Sequence, residues 1–130
     1  MPSRDSKNLT PFLQEVWEEL RTWYTAVFPE RELFLTCTYR SPQEQAGLYK
    51  LGRTVKGKVV TMCDGVKTMS KHNEKPARAF DVAVREDGKV VWDEIYFVPI
   101  GRAILESKYK DRVRWGGNFK FRDFPHVEEI

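Results

Sequence analysis

The stretch Ala79 to Trp92, AFDVAVREDGKVVW, constrains the fold more than any other part of the chain. Ala79 to Arg85 alternates among β-forming residues, Glu86, Asp87 and Gly88 supply a turn, and Lys89 to Trp92 returns, which predicts a β-hairpin. Asp81 lies inside the apolar strand, between Phe80 and Val82. A carboxylate there either faces solvent on a half-exposed sheet or needs a cation, a metal or dense hydrogen bonding.

The flanking segments predict helices packed on a small sheet. Leu9, Phe12, Leu13, Val16, Trp17, Leu20, Trp23, Tyr24 and Val27 recur at helical spacing over 9 to 28, with Thr10 and Pro11 suited to the N-cap and first turn and Pro29 ending the run. Leu33 to Tyr39 alternates as a strand. Ser41, Pro42 and Glu44 then form a capping box, and Gly52 closes a helix over 42 to 51. Arg53 to Lys71 is polar and glycine-punctuated, a surface loop suited to rim a cleft, with one short strand at Val59 to Thr61. Asp93 is positioned to cap a helix through Phe97, Ile100, Ile104 and Leu105 that ends in a basic turn, and Val113 to Trp115 and Val127 to Glu129 read as short strands. The fold class is therefore α+β, a small antiparallel sheet with helices packed on it, in one domain over residues 1–130 with residues 1–7 untethered.

Composition narrows the function. At 130 residues and 41% hydrophobic content the chain can build one core, and no stretch is long and apolar enough for a membrane span or a signal-peptide core. A protein made in the cytoplasm is expected. The net charge of +3 draws on both signs, favouring anionic partners weakly, and no basic block interleaved with aromatics marks a nucleic-acid footprint. Cys37 and Cys63 lack metal or disulfide spacing and read as two free thiols.

The chain has two histidines, His72 before the hairpin and His126 near the C-terminus. With Asp81 they would complete the three-ligand set of a catalytic zinc, whose fourth position stays open for chemistry. Asp123 stands three residues before His126 on a bend stiffened by Pro125, where a carboxylate can serve as general acid and base or simply initiate a turn. Each of these residues also has an ordinary structural reading.

Three blocks resemble the zinc DD-peptidase-like family, which includes D-alanyl-D-alanine dipeptidases and carboxypeptidases and phage L-alanyl-D-glutamate endopeptidases. Tyr39, Arg40, Ser41, Glu44, Gln45, Leu48, Tyr49, Gly52, Arg53 and Thr54 match its first block. Ser70, His72, Ala79 and Asp81 match its central motif, and Trp115, Gly116, Gly117, Phe119, Asp123, Pro125 and His126 its closing run. The resemblance implies a hedgehog/DD-peptidase-like fold, zinc on His72, Asp81 and His126, Asp123 as the base, and Arg40 at the scissile carbonyl or a substrate carboxylate, with Ser70 and Trp115 on the substrate.

One departure stands out: eight residues without glycine, Asn73 to Phe80, separate His72 from Asp81, where the family has six with a central glycine. A bulge before the strand would leave both ligands in place, whereas a one-residue register slip would turn Asp81 to the other sheet face. The short chain and its WGG block resemble the phage endopeptidase branch. That implies a monomeric lysin cutting the L-alanyl-D-glutamate bond of peptidoglycan stem peptides, reaching the wall with a holin-type partner. The alternatives are a D-alanyl-D-alanine carboxypeptidase or dipeptidase, an inactive wall-binding or phage structural domain, and a cysteine hydrolase built on Cys63 or Cys37.

Overall fold

The computed structural model describes residues 2–130. Helix α1 spans Pro11–Val27, with Thr10 Oγ1 accepting the Leu13 N–H, and buries Leu13, Val16, Trp17, Leu20 and Tyr24 along one face. Strand β1 (Arg31–Cys37) follows, and α2 (Pro42–Lys50) opens on the complete Ser41/Glu44 capping box with Pro42 in its first turn. The hairpin forms β2 (Ala79–Glu86) and β3 (Lys89–Val91), with Asp87 at φ 51° and Gly88 at φ 75° in the turn that matches strand twist. Helix α3 (Val98–Glu106) and strands β4 (Val113–Trp115) and β5 (His126–Glu129) complete the chain.

The five strands form one antiparallel sheet in the order β1-β2-β5-β4, with β3 added to β2. Strand β2 is its centre, pairing β1 along residues 81–86 and sharing its other edge between β5 and β3. Alternation divides its residues between two faces. Phe80, Val82 and Val84 are fully buried in the core with α1 and α3, and Trp17 meets Phe80 edge to ring at 5.7 Å. Asp81 takes the opposite face. Its partner in the β2–β5 ladder is His126, and β1 sets Cys37 beside it on the other edge, next to a register shift in that ladder. Two residues along, and so on the same face, Ala79, Glu128 and Arg114 are aligned across β2, β5 and β4.

Several sequence expectations are corrected. Val59 to Thr61 forms no strand; the segment is held by side chains, Gln45 Nε2 donating to Thr61 Oγ1 at 3.1 Å and to the Cys63 carbonyl at 3.0 Å. Asp93 makes no capping bond and precedes a 3-10 turn at Glu94–Tyr96, so α3 starts only at Val98. It ends at Glu106 without a basic last turn, because Tyr109 is drawn into the core and bonds Glu15, which takes the lysines beside it off the helix. Residues 2–7 are tied rather than loose: Ser3 exchanges backbone hydrogen bonds with Thr38 and Tyr39, and Asp5 caps a 3-10 turn at Ser6–Asn8. Met1 lies outside the described residues. No helix among the described residues is long and apolar enough to cross a membrane.

Candidate metal centre

His72 sits in a 3-10 turn, Lys71–Asn73, whose N-cap is Ser70; the Ser70 hydroxyl accepts the His72 N–H at 3.2 Å and the Asn73 side chain closes the capping box. The His72 carbonyl accepts from the Arg40 N–H, and Asn73 Nδ2 donates to the Arg40 carbonyl, so the β1–α2 junction and this turn are fastened together. The connection onward to Asp81 is absorbed before the strand, where Ala77 bridges Leu9, and β2 pairs β5 without a shift from Ala79 to Asp81. Asp81 therefore faces both histidines.

The geometry is compact. His72 Nε2 lies 3.2 Å from Asp81 Oδ1, His126 Nδ1 lies 2.9 Å from the same oxygen, and the two nitrogens are 3.3 Å apart. Ligand atoms about 2 Å from one tetrahedral ion stand roughly 3.3 Å from each other, so this triangle has the size of one metal-ligand face. The outer nitrogens decide what the inner ones present. His72 Nδ1 meets the Thr38 carbonyl at 2.8 Å and His126 Nε2 meets Glu128 Oε1 at 2.7 Å. Both partners accept, so both outer nitrogens carry the hydrogen, and neutral imidazoles turn their lone pairs inward to the Asp81 oxygen. Three converging lone pairs repel one another unless protons or a cation lie between them.

The ionisation of the cluster follows from this crowding. Burial alone would lower both imidazoles, but the Asp81 carboxylate outweighs it and raises His72 to about 10. Asp81 and Glu128 together raise His126 to about 9, again against burial. The Asp81 carboxyl, which burial would raise, is held by the two histidines far below the usual carboxylate range. A bound dication would take over the role of those protons.

Asp123 stands at the mouth of this triangle, its Oδ2 3.9 Å from His126 Nδ1, with 41% of its side chain exposed. Desolvation by the protein around it, and then the charge of Asp81, push its carboxyl upward. The preceding glycines place it. A Cβ on Gly116 would come within 2.3 Å of the Asp123 carbonyl oxygen and 2.9 Å of His126 Cβ, so only glycine lets the chain fold this tightly over itself. Arg40 donates from Nη1 to Gln45 Oε1 at 2.8 Å and directs Nη2 to Asp81 Oδ2 at 3.5 Å. Gln45 is itself fully buried, fixing Arg40 to the loop on the far wall.

All these groups open on a cleft of about 590 Å³, walled by the 51–71 loop on one side and by Arg114, Phe119 and Phe121 on the other. Ser70 lines it as well as capping the His72 turn. Trp115 does not. Strand alternation puts it on the core face opposite the triangle, 8% exposed, against Gly101 and Gly117, with Nε1 donating to the Phe124 carbonyl at 2.7 Å. It props the Asp123 loop from behind, and its neighbour Arg114 faces the cleft instead.

One further residue, Glu128, was not singled out in the sequence. Glu128, 7% exposed, joins the His126 imidazole to Arg114, which donates to it from Nε at 2.9 Å and reaches it from Nη2 at 2.7 Å. Hydrogen bonds from His126 and Arg114 hold its carboxyl down to about 2 against burial. Its position two residues after His126 on a strand, hence on the same face, was the available signal. Cys37 is buried with Sγ 3.6 Å from His72 Nδ1. Two ligand groupings thus overlap here, Cys37 with His72 and Asp81, and Asp81 with Asp123 and His126. In the first, Cys37 Sγ lies beside His72 Nδ1, which the Thr38 carbonyl already engages.

The fold, a small antiparallel sheet with helices on one face and this histidine–aspartate–histidine triangle on the other, is that of the DD-peptidase-like class. No protein-family model matches the chain. In an alignment of 109 positions that covers 76% of the chain, it is 37% identical to the peptidoglycan L-alanyl-D-glutamate endopeptidase CwlK of Bacillus subtilis strain 168, and it spans 61% of that protein. The crystal structure of the Serratia marcescens L-Ala D-Glu endopeptidase ChiX shares its fold with a TM-score of 0.62, at 20% identity, covering 100% of this chain and 89% of that one. The chain thus resembles an L-alanyl-D-glutamate endopeptidase in sequence over about three fifths of that relative's length, and shares the fold of a second one over its whole length.

Proposed function

We propose that the chain is a zinc peptidase that hydrolyses the L-alanyl-D-glutamate bond of peptidoglycan stem peptides, as a monomeric lysin of a phage or prophage that reaches the wall with a holin-type partner. The observation that carries the reading is the convergence of His72 Nε2, Asp81 Oδ1 and His126 Nδ1 to within 3.3 Å of one another at the floor of an open cleft. The bond assigned is the one named for both CwlK and ChiX.

Zinc held by His72, Asp81 and His126 supplies Lewis acidity toward a water and the scissile carbonyl. The chain's own residues do the rest. Asp123 takes a proton from the attacking water on its carboxylate and returns it to the leaving amine, and the raising of its carboxyl by burial and Asp81 makes it a better acceptor than an ordinary aspartate. Arg40, oriented by Gln45 and Asp81, offers a charged donor fork to the oxygen on which negative charge develops. Thr38 and Glu128 keep both histidines in the tautomers that point lone pairs inward.

Metal analysis paired with wall digestion tests this. One zinc per chain, and release of amino groups from purified peptidoglycan that chelator abolishes and zinc restores, are expected. Undiminished release by His126→Ala, or loss only on Cys63→Ser, would sink the mechanism.

A further inference from the structure

The charge of the chain is not spread evenly. Residues 50–71 carry Lys50, Arg53, Lys56, Lys58, Lys67 and Lys71 against the single acid Asp64, and residues 113–122 carry Arg114, Lys120 and Arg122 against none. The remainder holds 13 basic and 18 acidic residues and is net negative. Each segment lines one side of the cleft, the first through Leu51, residues 60–63 and residues 69–71 and the second through Arg114, Phe119 and Phe121, and the cations other than Lys71 and Arg114 lie on these segments outside the lining. Lys71 and Arg114 reach inward to Glu128, whereas the other seven are exposed and form no ion pair among the described residues.

The longer wall is held in place. Asp64 Oδ1 accepts the N–H groups of Val66, Lys67 and Thr68, Gln45 binds Thr61 and Cys63, and Gly65 is packed on the Pro42 carbonyl and Gln45. Cations on such a scaffold are repelled by one another, and the single acid of the loop, Asp64, is engaged by three backbone N–H groups and offsets only part of this, which marks a surface that waits for negative charge. Between the cations the exposed apolar side chains are Val55, Val59, Val60, Met62, Val66 and Met69, with Phe121 across the cleft. A single-stranded nucleic acid needs aromatic platforms for its bases, and this loop supplies aliphatic ones.

We infer that the rim of the cleft is a docking surface for a wall-attached phosphodiester polyanion, which holds the enzyme on its substrate. The inference rests on the peptidase reading for the choice of the wall. A polyanion laid along the rim engages several phosphates at once without entering the cleft, whose floor is taken by the triangle and Asp123. Such attraction is longest-ranged at low salt, since the Debye length falls from roughly 30 Å at ~0.01 M to roughly 3 Å at ~1 M.

The test uses the full chain and the triple variant Lys56→Gln/Lys58→Gln/Lys67→Gln on purified wall particles, with their phosphodiester polymer intact or removed by hydrofluoric acid. A basic residue near an anionic surface gives roughly fivefold in binding, so the triple variant should bind polymer-bearing wall about 100-fold more weakly at low salt. Both proteins should bind stripped wall equally weakly, and both should hydrolyse a short soluble stem peptide at the same rate. Binding of the variant to intact wall within about twofold of the parent would overturn the inference. So would binding unchanged by removal of the polymer, or equal affinity for a single-stranded oligonucleotide. Failure of the parent to hydrolyse the soluble peptide would instead overturn the peptidase reading, and the binding comparison would still stand on its own.

Discussion

Replacing Glu128 with alanine isolates what holds the metal triangle in its working tautomer. Glu128 Oε1 accepts from His126 Nε2 at 2.7 Å, and its other oxygen accepts from Arg114. Without it, Arg114, with 52% of its side chain exposed, regains water. The buried His126 N–H does not. That donor is left unpaired at a cost of about 1–3 kcal/mol, and the imidazole can recover it by moving its hydrogen to Nδ1, which removes one lone pair from the triangle. Loss of a partner of this kind typically weakens metal affinity 10- to 100-fold, or about 1.4–2.7 kcal/mol, so the two estimates agree. Zinc competition against a chromophoric chelator measures it. Glu128→Gln, which keeps an acceptor oxygen, should recover most of the affinity. A Glu128→Ala protein that folds and binds zinc within about twofold of the parent would refute the reasoning.

Other outcomes follow from the same geometry. Asp123→Ala should keep its zinc and lose roughly 10²–10⁴ in kcat, read by metal content and turnover on the same preparation; loss of the metal would reassign the residue as a ligand. Gly117→Ala would place a Cβ 2.3 Å from the Trp115 ring and should destabilise the fold by about 1–3 kcal/mol in denaturant unfolding. The folded pKa values of His72, about 10, and His126, about 9, lie above the ordinary 6.5. Their contribution to the stability of the metal-free protein is therefore complete below pH 6.5 and lost as pH rises through 9 to 10, which unfolding of the chelated protein across that range checks. Zinc must displace the same protons, so its titration near pH 7 should release about two protons, measurable in weak buffer.

Much of the scaffold was legible because its signals are local. Thr10 with Pro11 and Ser41 with Glu44 mark their helix starts, and Asp87 and Gly88 mark the hairpin turn, with physics that needs no tertiary context. The segments that differed are governed by distant contacts. Tyr109 ends α3 by entering the core, and Gln45 shapes the 51–71 loop from α2 through a side chain that no periodicity reveals. At the site, the ambiguity over Asp81 was one of face. It is resolved by the pairing of Asp81 with His126 and by the absorption of the longer connection before β2. Trp115 was a candidate by motif, but the alternation of β4 gives that face to Arg114. Glu128 required the same alternation to be carried two residues past His126.

The central claim is that the triangle binds zinc to cut one particular amide bond, and mass spectrometry of digested peptidoglycan addresses it directly. Zinc-loaded protein should release stem peptides that begin at D-glutamate and leave L-alanine on the glycan, with neither product formed in chelator. Products lacking only a terminal D-alanine, or the same cleavage by zinc-free protein, would contradict it.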